Sequence, residues 1–423
     1  MAVVFSLFHT SLTPETTMAQ PEIAVLVSSF ERPGHLRRVL ASIAAQRGIG
    51  GALEVVVTDD GSRDETPRIV RQFASTVGFP VRFTTHPHNG FQLARCRNEG
   101  VMASTAPYLL FLDGDCLIPP DHLRAHLDQR RDGYVMAGYP IHLNEAISQK
   151  ISEAEVRDAS YLQRVSFRKQ LAMWWRHVRA TGYSLLGHPT RPKLLGGNMG
   201  IARADYEQIN GYDENFHGWG CEDDDLRMRL RSAGVRVASI AWWTNTYHLW
   251  HPKTPSAPAT WRAGANVEYF QRPLRLTRCL AGMTKRRLQD LHVRFVNRET
   301  LDESQLHYLP AWCRVAAAGN SQRADSPEIE IALAGDRGRF SNRADARVLI
   351  VPPGQTASRE LLWQADMVFA NQRLSGVRAS QLFPLGQVAN VLEQQLGYSL
   401  ARLTIGRAAA TSAGHQLALP AAA

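Results

Sequence analysis

The sequence contains few cysteines, and their spacing carries no structural pattern. Five cysteines are scattered over 423 residues, and no two of them form a Cys-x-x-Cys pair. An odd and dispersed set of this kind is neither a disulfide framework nor a zinc site. We therefore expect a chain that stays reduced in the cytoplasm.

Long hydrophobic runs are also missing. The sequence has no apolar run of about eighteen residues or more, so it predicts no membrane-spanning helix. Residues 1–20 lack the basic segment that opens a signal peptide, and we interpret them as an N-terminal extension, with Met1 or Met18 as the start. The expected location is cytoplasmic, with at most a peripheral contact at the inner face of the membrane.

Acidic residues are outnumbered by basic ones. There are 39 acidic and 48 basic residues, most of them arginine, which gives a formal net charge of +9. This excess suits an anionic ligand, a nucleic acid or an acidic membrane surface, although a biased composition is the simpler explanation. No RNP, zinc-finger or helix-turn-helix signature is present, so we do not expect nucleic acid as a partner.

The first third of the chain alternates apolar runs with helical patterns. A length of 423 residues fits two domains, or one large domain with an appendage. The repeated strand–helix order is typical of a doubly wound parallel sheet. The predicted strands are residues 23–27, 53–57, 81–85 and 108–112.

Polar and acidic residues follow three of these strands. They are residues 28–31, the pair Asp59 and Asp60, and the pair Asp113 and Asp115. In open α/β sheets the ligand crevice lies beyond the carboxyl ends of the strands. Two carboxylates separated by one glycine repel each other unless a cation lies beside them, and a hard divalent cation with a phosphate partner is the usual solution. The alternative is an ordinary turn, since Asp-Gly-Asp is common turn chemistry.

Four motifs in this region together resemble the family 2 glycosyltransferases of the GT-A fold. They are Val27-Ser-Ser-Phe-Glu-Arg-Pro33, Asp59-Asp-Gly-Ser62, Asn89-Gly with Ala94-Arg-Cys-Arg-Asn98, and Asp113-Gly-Asp115. The resemblance implies that Asp115 binds a metal and that Asp113 faces either the ribose or the metal. It also implies a UDP-sugar donor held by Ser28, Phe30, Glu31, Asp60, Arg95, Asn98, Asp113 and Gly114.

A second constellation lies between residues 194 and 226. Trp219 stands between two glycines just before four successive acids, residues 222–225. A glycine-flanked aromatic ring can lie flat against a sugar, and Gly197 and Gly200 allow a backbone to approach a ligand closely. The alternative is that the acids complement the dipole of a helix start, with Arg227, Arg229 and Arg231 as partners.

Residues 194–251 resemble the half shared by β-1,4-galactosyltransferase and chondroitin-polymerase-like enzymes. That resemblance implies Asp223 as the catalytic base, with Glu222 second, and a metal-binding histidine downstream. His248 and His251 both stand at the expected place, and their i, i+3 spacing would let both reach one ion. Oxygen ligands together with imidazole suit Mn²⁺ at least as well as Mg²⁺. The acceptor contacts implied are Gly197, Trp219 and Asp224.

The remaining segments are less specific. Residues 145–180 predict a long basic helical segment, which we interpret as covering the core rather than as a membrane-surface or acceptor-binding helix. The predicted organisation is an N-terminal extension (1–20), a nucleotide-sugar-binding half (21–120), an acceptor-binding catalytic half (121–252), a wrapping segment (253–290), a small α/β appendage (291–405) and a disordered tail (406–423).

The function implied by the resemblance is a metal-dependent inverting glycosyltransferase that moves a sugar from a UDP-sugar to a glycan hydroxyl, in surface polysaccharide synthesis. A non-catalytic nucleotide-sugar or glycan-binding protein on the same fold is the alternative. A haloacid-dehalogenase-type phosphatase also has Asp-x-Asp after a strand, but there the second Asp precedes Gly-Thr, whereas Cys116-Leu117 follows here. The appendage would make the chain bifunctional if it had its own site.

Overall fold

The computed structural model describes residues 3–6, 20–49, 52–252, 257–296, 307–318, 327–335 and 338–397. The four predicted strands are confirmed, and each extends at most two residues beyond its expected end. They pair in parallel in the order β4-β3-β2-β5. Their bounds are β2 (Ile23–Ser29), β3 (Leu53–Asp59), β4 (Val81–Thr85) and β5 (Tyr108–Asp113), and the intervening helices are α1 (Pro33–Ala44), α2 (Thr66–Ala74) and α3 (Leu93–Met102).

The central strands are buried on both faces because helices pack on either side. Val25 pairs with Val55 on one neighbour and with Leu110 on the other, and these three side chains belong to one core. The alternate positions, among them Leu26 and Phe111, belong to a second core on the opposite face. Continuous apolar runs are the pattern that a doubly covered parallel sheet requires.

The predicted N-terminal extension contributes to this sheet. Residues Val3–Ser6 form strand β1, which pairs antiparallel with β4, so that Val3 lies opposite Thr85. Four residues of the extension therefore belong to the sheet. The rest of residues 1–19 lies outside the described part of the chain.

The second predicted half continues the same sheet. Strand β9 (Asn198–Ala202) pairs antiparallel with β5 and with β7 (Tyr134–Ala137), and β10 (Arg236–Ser239) runs parallel to β7. In the described residues eight strands thus form one mostly parallel sheet in the order β1-β4-β3-β2-β5-β9-β7-β10. The two predicted halves share one sheet and two cores.

A small ribbon brings the late histidines to the end of β5. Strand β11 (Thr246–His248) pairs with β6 (Cys116–Leu117) and with β8 (Pro140–His142), which sets His248 opposite Cys116. The backbone N–H of Leu249 also donates to the carbonyl oxygen of Asp115 at 2.9 Å. This pairing fixes the distance between the end of β5 and residues 248–251.

The basic segment 145–180 is not one helix. It is divided into α5 (Glu145–Lys150), α6 (Glu153–Arg157), a short 3₁₀ turn and α7 (Phe167–Leu185). The side chain and backbone of Ser152 begin α6 through a capping box with Glu155. Of the 19 residues of α7, only Ala180 is buried, and with Met173 it packs against core side chains, so the helix covers the core with one narrow face and leaves the rest in solvent. Outside this segment, the other α-helices between residues 121 and 290 are α4 (His122–Gln129), α8 (Arg203–Gln208), α9 (Glu222–Ser232) and α10 (Val267–Phe270).

The predicted appendage is a second α/β layer. Its described strands form a five-stranded parallel sheet in chain order. The wrapping segment precedes the appendage in the chain. The side-chain amide of Asn210 donates to the carbonyl oxygens of Cys279 and Thr284, which fixes part of this segment. The predicted tail from residue 406 lies outside the described residues. The elements are β12 (Val293–Phe295), α11 (Ala311–Ala318), β13 (Ile329–Leu333), β14 (Ala346–Val351), α12 (Arg359–Gln364), β15 (Met367–Ala370), β16 (Leu382–Phe383) and α13 (Val388–Gln395).

Candidate active site

The carboxyl ends of β2 and β5 open onto a cleft of about 500 Å³. The opposite wall is formed by the turn before β9 and by the start of α9. This size is ordinary for a small-molecule site. The structure brings together at this cleft the predicted residues Ser28, Phe30, Asp60, Asp113, Gly114, Asp115, Gly197, Trp219, Glu222, Asp223, Asp224, His248 and His251.

Three predicted donor-binding residues do not line the cleft. Asn98 is fully buried, and its amide donates to the carbonyl oxygen of Tyr212 at 2.9 Å and to Glu214 at 2.8 Å. Its side chain therefore joins α3 to the 206–214 segment, and this structural role replaces the predicted donor contact. Arg95 forms an ion pair with Glu99 at 2.9 Å and does not line the cleft. Glu31 is exposed at φ 42°, and it contacts the neighbouring loop through its backbone N–H.

Asp115 meets both late histidines. One carboxylate oxygen lies 3.1 Å from Nε2 of His251, and the other lies 3.5 Å from Nε2 of His248. Burial raises the pKa of Asp115, but the hydrogen bond with His251 and the charges of His248, His251 and Arg32 outweigh it and lower the pKa to about 2. Asp115 is therefore a carboxylate at every physiological pH.

These three residues form a set that fits a divalent cation. One ligand atom from each of Asp115, His248 and His251 lies within 4.8 Å of the others. Nδ1 of His251 lies 2.7 Å from the carbonyl oxygen of Pro252, so Nε2 is the nitrogen that faces Asp115. A backbone carbonyl that fixes the far ring nitrogen is typical of metal-binding histidines. A carboxylate with two imidazoles suits a first-row divalent ion such as Mn²⁺.

A neighbouring set adds the other predicted metal ligand. Ligand atoms of Asp113, Asp115 and Cys116 also lie within 4.8 Å of one another. Burial and the adjacent carboxylates raise the pKa of the Cys116 thiol well above its usual value, so the thiol stays protonated and is a poor ligand. With the Cys116 thiol excluded, Asp113 is the additional candidate ligand in this second set.

Arg32 is a site residue that the sequence reading missed. Its guanidinium lies 2.9 Å from Asp115, and its side chain is partly exposed to the cleft. It stands inside the Val27–Pro33 motif, next to Glu31, so the motif itself was the available signal. An arginine at this place can make bidentate contacts with a phosphate.

Arg97 is a second residue whose site role was not predicted. Its guanidinium lies 2.8 Å from Asp223 and 3.2 Å from Asp113, and it donates to the hydroxyl of Tyr212 at 3.0 Å. The arginine side chain is almost completely buried, so these carboxylates are held by a charge with little access to water. Arg97 thereby joins the end of β5 to the start of α9.

The paired glycines before β9 make room for this arrangement. A Cβ atom on Gly196 would collide with the guanidinium of Arg97, and one on Gly197 would collide with the carboxylate of Asp113. Gly200 lies deeper in β9, where a Cβ atom would collide with Tyr108 and His126. The expected close approach of Gly200 to a ligand is therefore wrong, because its neighbours are core side chains.

Asp223 faces the cleft and is held by three donors. One oxygen accepts from Arg97 and from the Tyr212 hydroxyl, both at 2.8 Å, and the other accepts from the backbone N–H of Gly196 at 2.9 Å. The side chain keeps 21% of its surface exposed. Its position is thus fixed while one face remains accessible from the cleft.

Glu222 beside it has a different environment. Burial, aided by the charge of Asp223 and opposed by Arg97, raises the pKa of Glu222 to about 7. Its Oε2 atom is buried and has no hydrogen-bond partner among the described residues. A carboxyl group with this pKa is suited to exchanging a proton near neutral pH.

The four acids at the start of α9 have different surroundings. Asp225 is fully buried and pairs with Arg229 at 2.7 Å, Arg275 at 2.9 Å and Arg272 at 3.3 Å. For this residue the structural alternative, an acid with arginine partners, is correct. Asp224 is partly exposed at the rim of the cleft, 3.5 Å from Lys193.

Trp219 projects at the rim between two glycines. Gly218 and Gly220 have φ values of 78° and 98°, which only glycine adopts without strain, and the indole is 47% exposed. The ring of Phe30, which also lines the cleft, stacks on His88 with a centroid distance of 4.2 Å. Phe91 and Trp261 are aromatic lining residues as well.

Two family models match the segment that builds this cleft. The model for glycosyl transferase family 2 matches residues 24–206, and a model described as the N-terminal domain of galactosyltransferase matches residues 176–252. Residues 24–206, the part of the chain that builds most of the cleft, thus match the family 2 glycosyltransferases. The family and the enzyme class predicted from the sequence are confirmed, and with the observed sheet the predicted GT-A fold class is confirmed as well.

The curated relatives are glycosyltransferases and polysaccharide synthases by name. Validoxylamine A glucosyltransferase of Streptomyces hygroscopicus subsp. limoneus is 28% identical, over 56% of this chain and 54% of the relative. Chondroitin synthase of Escherichia coli is 25% identical, over 52% of this chain and 33% of the relative. Hyaluronan synthase of Pasteurella multocida is 25% identical, over 52% of this chain and 24% of the relative. This glycosyltransferase thus matches about half, or less, of the length of these relatives.

Similarity to solved structures is weaker. The mannosyltransferase PcManGT from Pyrobaculum calidifontis, in complex with GDP-Man and Mn²⁺, aligns with a TM-score of 0.38 and 16% identity, over 60% of this chain and 61% of that one. TarS 1-349 of S. aureus in complex with UDP-GlcNAc aligns with a TM-score of 0.37 and 16% identity, over 56% and 62%. Scores at this level carry no argument about the site.

Proposed function

We propose that this glycosyltransferase uses a divalent cation to transfer a sugar, with inversion, from a UDP-sugar to a hydroxyl group of a glycan. One observation supports this most strongly. Asp115, His248 and His251 line one side of the cleft, Asp223 lines the other, and Arg97 contacts acids on both sides. A metal-bound donor and a base for the acceptor therefore fit within a single site.

The donor lies at the ends of β2 and β5 in this proposal. Asp113 and Asp115 face the ribose and the diphosphate, and the exposed part of the Arg32 guanidinium contacts the phosphate oxygens. Phe30 offers an aromatic surface for the uracil ring of the UDP-sugar. When held by Asp115, His248 and His251, Mn²⁺ or Mg²⁺ would supply positive charge that stabilises the departing diphosphate.

The acceptor lies between Trp219 and the start of α9. The indole packs against the sugar ring, and Asp224 and the Gly197 backbone bind neighbouring hydroxyl groups. Asp223 takes the proton of the attacking hydroxyl while that oxygen bonds to the anomeric carbon and the bond to UDP breaks. A single displacement on an oxocarbenium-like centre gives inversion.

Glu222 is the second candidate for the base. Its raised pKa suits proton transfer near neutral pH, whereas Asp223 has the more accessible position. We assign the base to Asp223 because the base must reach the acceptor oxygen, and geometry decides before pKa. In this assignment Glu222 orients the acceptor.

Two of the relatives are named chondroitin synthase and hyaluronan synthase, which supports a glycan acceptor. Synthesis of a surface polysaccharide and a cytoplasmic location remain predictions from the sequence. The donor sugar is the first unknown to resolve.

The test is a screen of UDP-hexoses and UDP-N-acetylhexosamines with Mn²⁺, which measures UDP release. We expect one donor to be turned over by the wild type and by Asp132→Asn, a substitution of an exposed aspartate outside the cleft lining. Asp223→Asn should bind UDP normally and release it about 10³-fold more slowly than the wild type. A wild type that binds UDP-sugars but never releases UDP, with or without glycan acceptors, would identify a non-catalytic binding protein instead.

A further inference from the structure

Helix α7 turns an apolar face towards solvent. Phe167, Trp175 and Leu185 are 75%, 54% and 82% exposed, and Leu171 and Val178 between them are also exposed. These five residues follow one another at intervals of three, four and seven positions, which places them on one face of an α-helix. We call these five side chains, with Trp242 and Trp243, the α7 patch.

The other face of α7 holds it against the protein. Ala180 is buried and packs in a small cluster with Tyr139 and Ala241, and Met173 packs against the same cluster. The guanidinium of Arg176 lies over the ring of Tyr139, 4.1 Å from its centroid. The exposed stripe is therefore a fixed surface feature on an anchored helix.

Two tryptophans from a different segment enlarge the apolar surface. Trp242 and Trp243 precede β11 and are 56% and 44% exposed. The ring of Trp242 lies 6.1 Å from that of Trp174, and the ring of Trp243 lies 5.5 Å from that of His177. A contiguous apolar surface of this kind normally marks an interaction site.

The charged side chains of α7 have a single sign. No aspartate or glutamate occurs between Asp158 and Asp205, a stretch that contains all of α7. Arg168 and Arg179 on α7 and Arg191 after it are exposed. Exposed aromatic and aliphatic side chains beside arginines are the composition of helices that lie in the interface of an anionic membrane.

We infer that the α7 patch docks on an anionic lipid bilayer, with α7 lying parallel to the membrane surface. None of the helices in the described part of the chain combines the length and hydrophobicity needed to cross a bilayer. Pairing of two copies through this patch is disfavoured, since α7 of each copy would bring exposed arginines and no acid. The inference does not depend on the proposed function.

The helix that carries the patch packs, through its buried face, next to the candidate active site. Leu195, which lines the cleft, packs against the cluster that contains Ala180 of α7. Docking through the patch would therefore place α7 between the bilayer and the side of the cleft near residue 195.

The test uses the full chain and vesicles of phosphatidylcholine, with or without phosphatidylglycerol, and measures the bound fraction by co-sedimentation. We expect binding to the vesicles that contain phosphatidylglycerol, release by added salt, and little binding to phosphatidylcholine alone. Equal binding to both lipids, or to neither, would overturn the inference.

Matched variants separate the α7 patch from the rest of the surface. Trp175→Ser should weaken vesicle binding about tenfold, whereas Trp363→Ser, at an 85% exposed tryptophan on α12, should not. Arg168→Gln with Arg179→Gln should also weaken it about tenfold, and Arg343→Gln with Arg359→Gln, both exposed on the appendage, should leave it unchanged. Equal effects in the patch and control variants would contradict the assignment.

A second readout distinguishes the other occupants. Light scattering should give a monomer with and without the Trp175→Ser substitution. A wild-type dimer that Trp175→Ser dissociates would show that the patch binds a second copy, which would overturn the membrane assignment. UDP release without vesicles should be equal in all these variants, so loss of transfer activity and loss of docking are measured separately.

Discussion

The chain contains two parallel sheets, and their strand ends differ. In the large sheet, β2 and β5 are neighbours with Ser28 opposite Asp113, although β3 and β4 come between them in the sequence. In the appendage, the described strands β12 to β16 follow chain order without reversal. A crevice forms where the strand order reverses, so only the large sheet has this switch point in the described residues.

The residues that follow the strands differ as well. Acids follow β3 and β5 in the large sheet, whereas Ala334, Pro352 and Asn371 follow strands of the appendage. Asn371 accepts a hydrogen bond from the backbone N–H of Leu385 and so stabilises its own layer. The comparison shows that a parallel sheet alone makes no site. A reversal of strand order and charged strand ends are both present at the cleft.

The largest effect should come from removing the proposed base. Asp223→Asn should lower the rate of UDP release in the presence of acceptor by about 10³-fold, because general base catalysis contributes roughly this factor. Steady-state kinetics at saturating donor would measure it. Gln372→Ala, at an exposed strand end of the appendage, is the matched control and should leave the rate unchanged. A variant Asp223→Asn with full turnover would assign the base to another residue.

Removing the buried arginine between the two walls should destabilise the fold. Arg97→Gln leaves Asp113 and Asp223 without their shared positive charge, which should lower the free energy of unfolding by about 3 kcal/mol. Denaturant titration would measure this loss. The control is Arg339→Gln, which removes an exposed arginine paired with the exposed Glu360 in the appendage. An equal or smaller loss in Arg97→Gln would mean that the bridge across the cleft is not a central contact.

The metal ligand set should matter for donor binding more than for folding. Asp115→Ala should weaken UDP binding in the presence of Mn²⁺ by about 10²-fold, because it removes the carboxylate between both imidazoles. Calorimetric titration with UDP, with and without Mn²⁺, would measure it. Unchanged Mn²⁺-dependent binding in this variant would exclude Asp115 as a ligand.

The smallest expected effect concerns Glu222 and pH. Its pKa of about 7 lies above the ordinary 4.5, so between these values the folded chain keeps a proton that the unfolded chain releases. The contribution of this carboxyl to stability is therefore present at low pH and is lost as the pH rises through 7. Glu222→Gln should remove this loss and stabilise the protein by about 2 kcal/mol at pH ~8 relative to pH ~5. Thermal unfolding at both pH values tests it, and an identical pH dependence in wild type and variant would contradict it.

Much of the large sheet could be predicted because its signals are local. Apolar runs that end in turn residues predicted β2 to β5, and the resemblance of residues 194–251 predicted that histidines would join Asp115. These features depend on neighbouring residues or on a recognisable spacing. They can be predicted without knowledge of how distant segments pack.

The missed features depend on contacts between distant segments. Arg97 and Asp223 are 126 positions apart, and nothing in the sequence of α3 distinguishes Arg97 from Arg95, which faces away. Asn98 lies in a motif that resembles a donor site, but the motif does not show the buried partners of Asn98 at 206–214. Helical periodicity identified the segment of α7, but a periodic stripe does not reveal whether it faces the core or the solvent.

The central claim is that Asp115, His248 and His251 hold one cation opposite Asp223. Electron paramagnetic resonance of Mn²⁺, titrated with protein in the presence of UDP, measures the free ion directly. We predict that the wild type and Asp223→Asn bind Mn²⁺ equally and that His251→Ala binds it at least tenfold more weakly. A free-ion signal that the wild type does not reduce, or equal binding by His251→Ala, would contradict the account.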